Sequence, residues 1–336
     1  MTDVDIRALR GPLDDEQVQW ITQLYGPVDA KYRSVSYVRH QFVGNPFGWS
    51  VNVFAVAGER AVGHCGVIPF HARRGEKPFV AGKLEALAVE AAFRGRRTAD
   101  GGSVAADILS HLYPFAVEDR IEVLFGLAPP AVARIHERAG CHLVATNAPA
   151  YTCVTNPSSF GSPLKKQLAV RALGAAQLTV LLSPRSSPPT EPPSLDDKAL
   201  SAVDAADGSW TVVGADAWDW FVGSGVLRVL DLPDSRALIR LDRSQPAMVQ
   251  ILAWRPRRRR LAAAFRLLRA TVALARERGA PTLRFQPWRG DEDERVLARA
   301  CALAGFVRRA EADLLLYPSG AGVDDFRITP FFFVTF

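Results

Sequence analysis

Arg94, Arg96 and Arg97 stand in the run AFRGRRTADGGS, between an apolar strand-like segment and an amphipathic one. A basic turn that leads from a strand into a helix is a ready anion cradle. The helix's first backbone N–H groups have no partner within the helix, and its dipole favours negative charge. Glycines, here Gly95, Gly101 and Gly102, let the backbone approach the ligand closely. Guanidinium groups add charge-assisted hydrogen bonds, and Ser103 stands at the helix start. The chemistry predicted is the holding of a phosphate or diphosphate.

The elements around this turn can be placed from pattern. SVNVFAVA, AVGHCGVIPF and PFVAGKLEALAV are short strands separated by the polar turns GER and RRGEK, which reads as an antiparallel meander. The third strand feeds the basic turn. A helix is predicted from about Ser103 to Glu118, with Val104, Ile108, Leu112 and Phe115 on one face and Pro114 as a point where it kinks or ends. IEVLFGLA follows as a buried strand, PPAVARIHERAG as a short helix between proline and glycine, and CHLVATNAPAYTCVT as a strand-rich stretch. Ahead of them all, LDDEQVQWITQLY reads as a helix with Asp14 and Gln17 as a capping box.

The second half runs through the same order. VLRVLDL, RALIRLD and AMVQILAW are strands, RPRRRRLAAAFRLLRATVALARERGA a basic turn and helix, PTLRFQPW a strand, DEDERVLARACALAGF a helix and VRRAEADLLLYP a strand. The plan of one domain therefore occurs twice. Between the halves, TNPSSFGSP and SPRSSPPTEPPSLDDK are too rich in proline and serine to fold alone. The stretch LKKQLAVRALGAAQLTVLL between them reads as a connector helix packed on a domain, with a membrane-surface helix as the rival. The division predicted is residues 1–155, a linker at 156–208, and residues 209–336.

At LEALAVEAAFRGRR, and on through VLFGLAPPAVARIHERAGC, the chain resembles the GNAT acyltransferase superfamily. The second half, through ILAWRPRRRRLAAAFRLL and ARACALAGF, is similar to a further, degenerate copy. The resemblance implies an α/β (α+β) fold of two GNAT-like domains, each a twisted mixed sheet flanked by helices. It implies transfer of an acyl group, acetyl above all, from acetyl-CoA or another acyl-CoA to an amine of a small molecule or peptide. The donor's diphosphate would lie on Arg94, Gly95, Arg96, Arg97, Gly101, Gly102 and Ser103. Its pantetheine arm would pair with backbone at Leu87, Ala88 and Val89, where strand N–H groups would also polarise the thioester carbonyl.

The catalytic expectations come from the same resemblance. An acceptor ammonium must lose a proton, often to a carboxylate, and Glu85 lies on the strand before the cradle. His136 stands where the family often has the tyrosine that protonates the departing thiolate. The pattern also departs from the family. Arg97 stands where a glycine follows the second arginine, and Pro129 where an asparagine is frequent. Either Arg97-Thr98-Ala99 replace the usual Gly-x-Gly, or RTAD is an insertion after which Gly101-Gly102-Ser103 supply the amides. The spacing to Phe125-Gly126 favours the insertion.

Bulk properties are those of a globular protein: 336 residues, 48% hydrophobic and 23% charged, with a net charge of +6 and a pI near 9.3. This balance favours anionic partners without choosing among them. A Fem-like transferase using aminoacyl-tRNA, with RPRRRR as a phosphate-binding run, and a non-catalytic acyl-CoA binder are the alternatives. DNA is not among the expected partners, and a homodimer is left open. The acidic start MTDVDIRALRGPLDDEQ has no apolar core of a signal peptide, no run reaches the 18 apolar residues of a span, and the expected location is cytoplasmic. Cys65, Cys141, Cys153 and Cys301 form no CxxC pair and read as buried free thiols. His64-Cys65 and Cys141-His142 are poor metal pairs, because neighbours on a strand face opposite ways. No metal is expected. The phenylalanine-rich end ITPFFFVTF reads as a buried or edge strand.

Overall fold

A computed structural model describes residues 3–74, 77–98, 101–118, 120–128, 130–144, 149–156, 173, 177, 188–194, 210–212, 215–223, 226–241, 248–258, 260–287, 292–310 and 313–317. The first half begins with β1 (Asp5–Gly11), α1 (Asp15–Tyr25), a 3₁₀ turn (Ala30–Arg33) and α2 (Val35–Phe42). Then come β2 (Ser50–Ala57), β3 (Arg60–Arg74), β4 (Lys77–Val89), α3 (Val104–Glu118), β5 (Ile121–Ala128), α4 (Pro130–Arg138), β6 (His142–Val144) and β7 (Pro149–Val154). The short strands β8 (Thr190–Glu191) and β9 (Trp210–Val212) precede the second half. That half comprises α5 (Ala215–Gly223), β10 (Leu227–Leu232), β11 (Ser235–Leu241), β12 (Met248–Pro256), α6 (Arg260–Glu277), β13 (Thr282–Phe285), α7 (Glu292–Leu303), β14 (Val307–Ala310) and β15 (Asp313–Tyr317).

The capping box at α1 is formed: Asp14 accepts the Gln17 N–H at 2.8 Å, and Gln17 accepts the Asp14 N–H at 3.2 Å. The meander is formed as well, with β2, β3 and β4 antiparallel in sequence. Both faces of β2 are buried, so from Val53 to Ala57 it carries an unbroken apolar run instead of an alternation. α3 continues through Pro114 to Glu118.

CHLVATNAPAYTCVT, strand-rich as expected, forms β6 in one sheet and β7 in the other. One reading of a single strand is corrected: VRRAEADLLLYP divides into β14 and β15. The first sheet has the order β1-β2-β3-β4-β5-β15-β6, with β9 added against β3. The second has the order β14-β7-β13-β12-β11-β10-β8. Each half thus lends one strand to the interior of the other's sheet: β15 lies between β5 and β6, and β7 between β13 and β14. In each sheet one central pair is parallel, β4 with β5 and β12 with β13.

Three apolar cores hold this arrangement. One face of the first sheet packs under α3 and α4 through Val67, Ile108, Leu112 and Leu124. Its other face, covered by α1 and α2, shares a core with α5 and the second sheet through Phe42, Phe54, Phe70, Trp218, Trp220 and Leu238. The third core lies under α6 and α7. Burying each such side chain contributes about 1.5–3 kcal/mol, so the shared core couples the halves. Trp220 adds a hydrogen bond to the His40 carbonyl at 3.0 Å and stacks on the His40 ring. Of the connector, Gln177 is buried. It accepts the Val154 N–H at 2.9 Å and donates to the Gly305 carbonyl at 2.6 Å. The remaining linker expectations, apart from residues 173 and 188–194, and the ITPFFFVTF strand lie outside the described residues. Among the described residues no helix is long and apolar enough to cross a membrane.

Candidate active site

β4 and β5 run side by side only as far as Lys83 and Phe125. Beyond that point β4 continues to Val89 against β3 alone, while β5 continues to Ala128 against β15. The two parallel strands therefore open into a cleft. A β-bulge helps to open it. From His64 to Gly66 β3 advances two residues, while from Ala88 back to Glu85 β4 advances three, so β4 carries one extra residue at Ala86–Leu87. A bulge bends its strand and re-aims the side chains beyond it. Leu84, Leu87 and Val89 pack toward α3 and α4, whereas Glu85 and Ala88 lie on the face covered by α1 and α2.

β4 ends in the basic turn. Gly95 has φ +78° and Gly101 has φ +82°, a region that costs other residues about 1 kcal/mol. Thr98 donates its N–H to Gly102 at 3.0 Å, Gly101 donates to Thr98 at 3.1 Å, and Arg97 is bridged to Ser103. Residues 98–102 thus close on themselves as a small loop ahead of the helix. Ser103 then caps α3, accepting the Ala106 N–H at 3.3 Å. The amides at the mouth of α3 come directly after Gly101 and Gly102. Asp107, in the first turn, is buried beside the loop and accepts a hydrogen bond from the Thr98 hydroxyl. A Cβ on Gly102 would lie 2.0 Å from its Oδ1. Asp100 and Pro129 lie outside the described residues.

A cavity of about 520 Å³ adjoins this turn, and Val89, Arg94, Gly95 and Ser103 line it. Asp107 and Ser110 of α3, with Ile135 and Arg138 of α4 and Ala139 just after it, close the opposite side. Arg94 is anchored by a 3.0 Å hydrogen bond from its Nε to the Val89 carbonyl. Arg96 lies over the Phe93 ring at 4.7 Å and Arg97 is exposed. Neither lines this cavity, nor do Leu87, Ala88, Gly101 and Gly102. Arg138 was missed in the sequence; its sign was a cation one helical turn from a predicted helix end.

Glu85 lies on the other side of the sheet and is 3% exposed. It is paired with Lys83, two residues back on the same strand, and accepts the Tyr32 hydroxyl at 3.2 Å. Tyr32 stacks on Tyr25 with ring centroids 4.8 Å apart. A hydrogen-bond chain fixes Tyr25. Ser50 donates to the Phe42 carbonyl and accepts Asn52 Nδ2, so Asn52 Oδ1 faces His64 Nε2 at 3.0 Å and that nitrogen carries the proton. His64 Nδ1 then lies 3.0 Å from the Tyr25 hydroxyl. Burial drives the His64 pKa down from 6.5 to about 3, and drives both tyrosines up. Cys65 faces the opposite side and donates to the Glu85 carbonyl at 3.2 Å. None of Tyr25, Tyr32, His64 or Lys83 was read as a site residue, because the sheet brings them together only through long-range pairing.

His136 is 4% exposed and does not line the cavity, although Ile135 and Arg138 of the same helix do. Its Nδ1 meets the Tyr113 hydroxyl, to which Cys141 also donates at 3.1 Å. Burial lowers its pKa from 6.5 to about 4. The imidazole is therefore neutral near pH 7 and ties α4 to α3. The structure places the basic turn and its cavity on one face of the first sheet and Glu85, buried, on the other, and sets His136 apart from both.

The second half repeats the geometry without the cradle. β12 carries an extra residue at Leu252, and its pairing with β13 ends at Ile251 and Phe285. The turn after it has no glycine. Arg255 and Arg260 instead reach Asp293 at 3.6 and 3.5 Å, Arg260 also pairs with Glu292, and Arg257 reaches Asp231 at 2.7 Å. These arginines neutralise carboxylates at the start of α7 and on β10.

No protein-family model matches the sequence, and comparison with curated proteins finds no match. Solved structures do match. Saccharomyces cerevisiae N-myristoyltransferase with bound myristoyl-CoA is similar over 95% of this chain and 79% of its own, with a TM-score of 0.60 and 10% identity. A probable N-acyltransferase from Enterococcus faecalis is similar over 93% of this chain and 72% of its own, with a TM-score of 0.52 and 11% identity. A GCN5-related N-acetyltransferase from Kribbella flavida covers 93% of this chain and 71% of its own, with a TM-score of 0.48 and 12% identity. At these identities the likeness is one of fold alone.

Proposed function

We propose that this chain is an acyl-CoA-dependent N-acyltransferase whose reaction takes place in the first half. The observation that carries the reading is the parting of β4 from β5 beyond Lys83 and Phe125, with a glycine-bearing basic turn and an open cavity beside it. The residues fit the donor. Arg94, Arg138 and the hydroxyl of Ser103 surround a space in which a diphosphate meets the mouth of α3. The strand edge from Leu87 to Val89, left without β5 as a neighbour, suits a pantetheine amide. The thioester then lies in the cleft, and an amine approaches from the side of Glu85.

Acyl transfer is direct. The acceptor ammonium gives its proton to Glu85, held in place by Lys83 and Tyr32, and the amine attacks the thioester carbonyl. The tetrahedral intermediate collapses with loss of the CoA thiolate; the nitrogen gives up its second proton to solvent, and the thiolate takes one up. His136, neutral and turned to Tyr113, supports the fold of α3 and α4. We take acetyl-CoA as the donor to test first and a small-molecule or peptide amine as the acceptor. The internal pairing of the second half's arginines weighs against a tRNA donor.

Thermal shift against CoA, acetyl-CoA and longer acyl-CoAs tests the reading. A ligand at a hundred times its dissociation constant adds about 2.7 kcal/mol. The shift is expected to vanish in Arg94→Ala/Arg96→Ala. Absence of a shift with every CoA species would overturn the proposal.

A further inference from the structure

Lys31 lies beside Tyr32, whose hydroxyl bonds Glu85, and its environment is that of a bound ammonium. Its side chain is only 12% exposed. Nζ stands over the Tyr32 ring at 5.3 Å and the Tyr37 ring at 5.6 Å, with Asp29 Oδ2 at 3.4 Å. A cation over two aromatic faces beside a carboxylate is how binding sites receive amines. The pocket is rigidly built. Asp29 also accepts the Lys31 N–H at 3.2 Å, Tyr32 stacks on Tyr25, and the Tyr37 ring meets Tyr32 edge-on at 5.1 Å. Tyr32 spans the space between the lysine and the base. Its ring lies under Nζ, and its hydroxyl ends on Glu85, so the ε-amine is one tyrosine ring away from the Glu85 carboxylate.

We propose that Lys31 is an internal acceptor, whose ε-amine takes the acyl group from acyl-CoA in the cleft when no external amine is present. The inference rests on the acyltransferase reading above. Burial lowers the pKa of Lys31, which favours the neutral nucleophile. The other described lysines are less suited. Lys77 is exposed near Glu122, and Lys83 is locked to Glu85. In the step, the ammonium releases one proton to solvent through Asp29, and the nitrogen lone pair attacks the thioester carbonyl. The C–N bond forms, the C–S bond breaks, and the nitrogen loses a second proton as the CoA thiolate gains one. The product is an amide that removes the cation from the tyrosine pair and fills the acceptor side.

The full chain is incubated with acetyl-CoA alone and followed by intact mass and peptide mapping; lysine is scarce in this sequence, so assignment is direct. One acyl group is expected, at Lys31. It should be absent in Lys31→Arg and in Arg94→Ala, and its formation should slow when an accepted amine is added. Thermal shift with CoA is read on the same samples. If CoA shifts the melting temperature but Lys31 stays unmodified, or the acyl group maps to Lys83 or is scattered over exposed lysines, the internal acceptor is refuted while the acyltransferase reading stands. If no CoA species binds, both fall together.

Discussion

Leu315 lies opposite Gly126 in the first sheet, although it belongs to the last strand of the second half. The exchange is reciprocal, since Cys153 lies opposite Leu283 in the second sheet. A domain cut from this chain therefore loses an interior strand and exposes two unpaired edges, which cost stability and invite aggregation. Residues 1–155 and 209–336 expressed separately should each fail to give a cooperative thermal transition, and co-expression should restore one. A sharp, reversible melt for isolated 1–155 would refute the coupling.

Gly102 and Asp107 are matched to one another. A methyl group at 102 would fall 2.0 Å from Asp107 Oδ1 and displace the carboxylate from Thr98. Gly102→Ala is expected to lose about 1–3 kcal/mol, the range for strain and a broken buried hydrogen bond, and to weaken CoA binding. Gly102→Ala/Asp107→Ala should recover much of the loss, since it removes the clash. Additive losses in urea denaturation would show that the contact is not what makes glycine necessary.

The sequence makes the basic turn, the meander and the capping box legible because each is local: a strand, a glycine or a cap is written in adjacent residues. The repeated order of elements also made two halves legible. The strand exchange was not, because VRRAEADLLLYP has no glycine or proline between its ends to mark a break, and nothing in periodicity says that its two ends join different sheets. The same holds at the site. Glu85 could be placed on β4, but its partners are fixed by the register of β3 against β4 and by α1, the 3₁₀ turn and α2 folding over that face. The β-bulge at Ala86–Leu87, which sets Glu85 and Leu87 on opposite faces, has no sequence mark of its own.

Arg138 shares the cavity with Arg94 but approaches from α4. A cation that contacts the donor's phosphates away from the reacting carbonyl strengthens ground state and transition state equally. Arg138→Ala should raise KM for acyl-CoA about tenfold, the loss of one charge-assisted contact, with kcat little changed. Arg138→Lys should recover part of the affinity. A fall in kcat at unchanged KM would place Arg138 nearer the chemistry.

His64 and His136 make stability fall in acid. Their folded pKa values are about 3 and about 4, against an ordinary 6.5. Between those limits the unfolded chain binds protons that the native state excludes, so stability drops as pH falls from about 6.5 and is flat above it. For His136 the full loss is on the order of 3 kcal/mol. His136→Gln, which can still bond Tyr113, should reduce the slope of the urea midpoint between pH 6.5 and 4.5. Because His136 is neutral near pH 7, the same variant should leave the shape of the kcat profile from pH 6 to 9 unaltered; a lost limb in that profile would restore it as the general acid.

Glu85 and Lys83 must be changed together to separate chemistry from folding. Both are buried, so removing one charge strands the other, a loss of about 3–5 kcal/mol. Glu85→Gln alone should therefore be both inactive and destabilised, and its inactivity is ambiguous. Glu85→Gln/Lys83→Met removes both charges and should regain most of the stability. If Glu85 is the proton acceptor, that double variant will fold, give the full CoA thermal shift and still lose kcat by a factor of about 10²–10⁴. It will regain rate with pH as a larger share of the acceptor amine is already deprotonated in solution. A double variant that is stable and retains near-normal kcat at neutral pH would mean that the pair only holds β4 in place and that the amine reaches the cleft already neutral.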